Sequence, residues 1–122
     1  MALVHHDLCF GCGQTNLFGL LLEVERVDAD RVAGRCFIKQ DHQGPKRGSA
    51  HPGIIATALA EAMAHARGPE AELERLEVSF EAPVAVGSFV EIEAHAEANL
   101  SATAHARADG VQVARATGSF RS

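Results

Sequence analysis

One segment, residues 51–66 (HPGIIATALAEAMAHA), restricts what this chain can fold into more than any other. It reads as a helix with almost no polar surface, and a helix apolar on all sides has to be surrounded by protein. The rest of the chain must therefore wrap around it. Pro52 fits the first helical position, where the N–H that proline lacks would have had no intrahelical partner. Ser49 or His51 can cap the start, and Arg67-Gly68-Pro69 ends it. The polar residues Thr57, Glu61 and His65 are spaced by four, so they share one stripe. Glu61 is the only carboxylate of the segment. On such a helix a carboxylate is costly unless it is paired, reaches a cleft, or works as an acid or base.

The flanking sequence supplies strands. Residues 17–27 are apolar and β-compatible, with Leu20, Leu22 and Val24 on one face, and residues 31–39 form a second strand across the Asp28-Ala29-Asp30 turn. Residues 40–50 (QDHQGPKRGSA) are a loop by composition. Beyond the helix, residues 73–81 and 90–98 alternate, with a turn region at 83–87 between them. Residues 101–108 and 111–120 flank Asp109-Gly110, a strong two-residue hairpin signal. Strands with one polar face belong to an antiparallel sheet covered on one side, so the expected class is α+β, with about five or six strands wrapped around one long central helix. Residues 1–122 form a single domain, with 1–16 an irregular lead-in.

Composition narrows the partners. The chain is 47% hydrophobic and 22% charged, and its net charge of -5 carries no basic stripe, which argues against nucleic acid. No apolar run approaches the roughly 20 residues of a membrane span. The opening MALVHHDLCF has no signal-peptide pattern, so a cytoplasmic location is expected. Three cysteines, an odd count, argue against a disulfide framework. Cys9-Phe10-Gly11-Cys12, preceded by His5 and His6, has metal-like spacing. A zinc site usually shows a second ligand pair at a defined distance, and here only the adjacent histidines could supply one. A reduced, packed lead-in is the expectation, with no metal and no cofactor.

The motifs resemble those of PaaI-like hotdog-fold acyl-CoA thioesterases along nearly the whole chain. CFGCGQTNLFGLLLEVE is similar to their N-terminal C-x-x-C-G…N…G-L signature. Asp41-His42-Gln43-Gly44 is similar to the HQG of their loop. HPGIIATALAEAM resembles their HGGIIATLLDEAM helix start, and LEVSFEAPVAVGSFVEIEA their central strand, proline and following strand. The resemblance implies the hotdog fold and hydrolysis of an acyl- or aroyl-CoA thioester. That chemistry needs a backbone N–H at the start of the central helix to stabilise negative charge on the carbonyl oxygen. It also needs a carboxylate eight positions later as nucleophile or general base.

Two registers are open. Laying HPG on HGG makes the donor Pro52, which has no N–H, and the acid Ala60; the protein is then a hotdog ligand holder without hydrolysis. Laying ALAEAMA on the glutamate form of the motif makes the acid Glu61 and the donor Gly53, recovering both together with the extra residues absorbed by the Gly44–Gly53 loop. The resemblance also points to Gln43 as a further catalytic candidate and to His42 as a substrate-binding one; His51 at the helix mouth becomes catalytic if it pairs with Glu61 in the first register, and Thr57 and Ser79 are further substrate-binding candidates. His51 is also a cap candidate, and Glu61 a residue of the helix's wetted stripe. Pairing of His42 or His51 with Glu61 would instead mimic a dehydratase acting on 3-hydroxyacyl thioesters. The expected partners are an acyl-CoA and a second copy of the chain, as a homodimer with sites at its interface, a homotetramer also being open.

Overall fold

The computed structural model describes residues 2–121. Six strands and one long helix follow in the order β1 (Glu23–Arg26), β2 (Arg31–Phe37), α1 (Pro52–Arg67), β3 (Glu72–Phe80), β4 (Phe89–Glu97), β5 (Ser101–Ala108) and β6 (Val111–Arg121), with a 3-10 turn at Gln40–His42 before α1. All strand pairings are antiparallel, and the sheet order is β1-β2-β4-β5-β6-β3. This is the expected architecture: one sheet curled around one helix.

The packing follows from residue size. The sheet turns Val90, Ile92, Ala94, Ala102, Ala104 and Ala106 inward, all buried, towards Ala58, Leu59, Ala62 and Met63 of α1. Alanines on both surfaces let the helix lie close to the sheet, and close packing, not propensity, holds a helix of this kind in place. The hairpin expected at Asp109-Gly110 forms with both residues at positive φ, 51° and 78°. That is the backbone of a two-residue turn whose twist matches its strands.

One strand is shorter than the sequence predicts. Pairing begins only at Glu23, because residues 17–22 bond to the lead-in instead: the Leu20 N–H donates to Phe10 O and the Leu22 N–H to Gly11 O, both at 2.8 Å. Leu21 sits at φ 52°, breaking the extended run. The expected inward face survives, since Leu20, Leu22 and Val24 are all buried.

β3 is the other edge of the sheet. It pairs only with β6, with an irregularity between Leu73 and Arg75, and most of it is exposed. Among the described residues no helix is long and apolar enough to cross a membrane.

Candidate functional site

The start of α1 is closed by its own cap. His51 is the N-cap, and its ring Nδ1 accepts a hydrogen bond from the Gly53 N–H at 2.8 Å. Pro52 contributes no N–H. Thr57 donates its hydroxyl back to Gly53 O at 2.8 Å, a local bond that absorbs its polar atom. Of the two possible oxyanion donors, one has no hydrogen and the other already has an acceptor. His51 itself is exposed.

Beside this helix start lies an apolar groove of about 400 Å³, walled by Pro52, Ile55, Phe80, Pro83, Val84 and Val113 among others. Lys46 stands at its rim. Neither Gly53 nor Glu61 belongs to its walls. Ser79 lies on the outer face of the sheet, in a polar groove of about 520 Å³ with Arg31, His95 and Arg115, and so does not join the helix start within one chain.

The 40–50 loop is held internally. Gln43 accepts from the Gly48 N–H at 2.7 Å through Oε1 and donates to Gln40 O at 3.0 Å. His42 is buried, and its Nδ1 accepts from the Lys39 N–H at 3.1 Å. Burial, with Lys39 nearby, lowers its pKa. Both side chains brace the approach to α1.

Glu61 points elsewhere, under the lead-in. Its Oε2 lies 2.7 Å from His5 Nδ1, 3.3 Å from His65 Nε2 and 3.4 Å from the Cys9 sulfur. The Cys12 sulfur is 3.5 Å from His5 Nδ1. The Glu61–His65 part of the stripe is thus covered and not wetted, with His65 only 7% exposed, while Thr57 is half-buried. Burial pushes the Glu61 carboxyl up, but the hydrogen bond to His5 and the neighbouring His65 ring outweigh it and hold the group well below the usual carboxylate range. The bond to Glu61 raises His5 to about 9 against its partial burial. Burial, then the neighbouring Glu61, pushes the Cys12 thiol well above its ordinary value.

The sequence reading of Cys9 and Cys12 needs correction here. Adjacent histidines are not the only further donors: Glu61 arrives from the helix, and His5, Cys9, Cys12 and Glu61 converge as potential ligands. Spacing along the chain could not show this, because the fourth donor lies in a different element. The available signal was the cost of a carboxylate on an apolar helix, which required a partner.

Comparison with solved structures places the architecture. The PaaI protein from the phenylacetic acid degradation operon of E. coli superposes with a TM-score of 0.73 at 14% identity, covering 83% of this chain and 82% of that one. Thioesterase superfamily member 2 from Mus musculus gives 0.70 at 14% identity, covering 80% and 78%. The chain has the hotdog fold. The TT0310 protein from Thermus thermophilus is 25% identical to this hotdog chain over 81% of it and 89% of its own length, with a TM-score of 0.71. A scan against protein-family models gives no match, and neither does a search of curated proteins. At these identities the likeness carries the fold, and the residues of this hotdog helix have to be argued from their own geometry.

Proposed function

We propose that this chain binds acyl thioesters of the acyl-CoA class on the thioesterase scaffold and holds them without using Glu61 to cut them. The acyl portion enters the apolar groove beside the start of α1, and Lys46 at its rim offers a cation to the phosphates of the CoA portion. A second chain completes the site by pairing its β3 edge with this one. The observation that carries the reading is that Glu61 does not line the groove and is engaged under the lead-in by His5, His65 and Cys9. A carboxylate held below its usual range by two histidines is a weak base, and an oxyanion donor already bonded to His51 gives little to a developing charge.

Hydrolysis is the second reading. The observation favouring it is the exposed His51: rotation of that ring frees the Gly53 N–H, eight positions ahead of Glu61. It would make the chain an acyl- or aroyl-CoA thioesterase; the names of some of its structural neighbours carry the word thioesterase.

One experiment separates the two. Binding of short, medium and aromatic acyl-CoA esters is measured by calorimetry, and turnover by release of free CoA thiol. The holding reading expects saturable binding, turnover at background, and no change in binding in Glu61→Gln. Turnover that Glu61→Gln abolishes and His51→Ala raises would overturn it in favour of hydrolysis. Absence of both binding and turnover across the panel would overturn both.

A further inference from the structure

The thioester reading leaves unused the donor cluster beneath the lead-in. His5 Nδ1, the sulfurs of Cys9 and Cys12, and a Glu61 carboxylate oxygen all lie within 4.8 Å of one another. The separations are 2.7 Å for His5–Glu61, 3.4 Å for Cys9–Glu61, 3.5 Å for Cys12–His5 and 3.8 Å for Cys9–His5. Tetrahedral zinc, with bonds of about 2.0–2.3 Å, holds its donors roughly 3.3–3.8 Å apart. Of these four separations the His5–Glu61 contact alone is shorter, being a direct hydrogen bond. We propose that His5, Cys9, Cys12 and Glu61 form a closed zinc-type metal site that fastens the N-terminal lead-in to the central helix.

Independent features of the surroundings fit a metal. The Cys9–Cys12 turn is closed by the Gly13 N–H donating to Cys9 O at 2.8 Å, and the His5 N–H donates to the Cys12 sulfur at 3.2 Å. The second of these, an N–H donated to sulfur, is the kind of outer-shell bond that supports a ligating thiolate. His65 is more than nine-tenths buried, and its Nε2 faces the Glu61 carboxylate without a well-aligned hydrogen bond. Its ring stacks on His5 with centroids 3.9 Å apart, fixing the orientation of a ligating imidazole from outside the donor set. At Gly11 a Cβ would collide with the Glu61 carboxylate, so the turn carries glycine where the cluster needs space. Two sulfurs, an imidazole and a carboxylate suit zinc and do not suit magnesium or calcium, which take oxygen ligands. All four positions are protein groups, which makes the site structural, with no open position for a substrate. The site does not depend on what binds in the groove.

The test uses the full chain, reduced and stripped with a chelator, then titrated with Co²⁺ and followed by visible absorption. The expected result is saturation at one Co²⁺ per chain, with sulfur-to-cobalt charge-transfer bands, strong tetrahedral bands, and displacement by Zn²⁺. His65→Ala should weaken Co²⁺ binding by roughly tenfold, the loss typical of an outer-shell partner, and Cys36→Ser should change nothing. Cys9→Ser and Cys12→Ser should each reduce the charge-transfer band. The wild-type titration needs no variant to fold. A wild-type chain, folded by circular dichroism, that shows no sulfur–cobalt band overturns the proposal. So does a band that persists in a chain carrying both Cys9→Ser and Cys12→Ser.

Discussion

His5 and His65 lie face to face, 3.9 Å between ring centroids and 8° between planes, and both address the same oxygen of Glu61. One residue belongs to the lead-in and the other to the last turns of α1, so this carboxylate joins two parts of the chain far apart in sequence. Glu61→Gln keeps the size and removes the charge. In the chelator-treated chain it should cost about 1.5–3 kcal/mol, the range for a hydrogen bond to a charged group. Urea denaturation measures the loss. Combined with His5→Ala, the two losses should fall short of additive, because each variant breaks the same bond.

Gly11 marks how closely the Cys9–Cys12 turn approaches the helix. A Cβ there collides with the end of the Glu61 side chain. Gly11→Ala should therefore destabilise the chain by about 1–3 kcal/mol, the usual range for overpacking. Paired with Glu61→Ala, which removes the colliding atoms, the further loss from Gly11→Ala should nearly vanish. The cycle is read from the same denaturation curves.

Much of this was legible in the sequence, and the parts that were not share a cause. The alternation of residues 90–98 and the Asp109-Gly110 turn are local signals, and each became the expected element. The helix cap was legible as a choice between Ser49 and His51, and geometry selected His51. Residues 17–22 read as strand because their side chains alternate correctly; their backbone bonds go to the lead-in, and side-chain pattern does not record that. The partners of Glu61 were hidden for the same reason. Periodicity showed a costly carboxylate, but not the distant residues that satisfy it.

His42 provides a pH dependence with a defined sign. Burial lowers its pKa, and the nearby charges are Lys39, which lowers it further, and Asp41, which raises it. The unfolded imidazole, with a pKa of about 6.5, then takes up a proton more readily than the folded one. Stability contributed by neutral His42 is fully present above the unfolded value and is lost as pH falls through the folded one. The difference in unfolding free energy between wild type and His42→Gln, measured from pH 8 to pH 5, should shrink towards the acid end. A difference that grows there would mean that the buried ring is charged in the fold.

Cys36 should be chemically silent. It is buried, and burial pushes its thiol up to about 12, so almost none of it is thiolate near neutrality. Iodoacetamide at pH 7.5 should leave Cys36 unmodified in the folded chain and modify it in urea. Peptide mass spectrometry reads both states.

The free edge of β3 should pair with a second copy. A nine-residue strand, Glu72–Phe80, bonded on one side only, offers a row of open backbone groups that a stable protein covers or blunts. Two copies related by a two-fold axis at the strand's midpoint, Leu76, would overlap along its whole length. That register sets Arg75 of each chain opposite Glu77 of the other, and opposite charges across a strand pair contribute about 0.2–1 kcal/mol each. Sedimentation should therefore give a species of twice the chain mass. Glu77→Arg sets like charges opposite each other twice and should shift the equilibrium towards monomer. Adding Arg75→Glu to that variant restores the pairing with its signs exchanged, and the dimer should return. A chain that stays monomeric at high micromolar concentration, or a double variant that fails to recover, would exclude this edge and register as the interface.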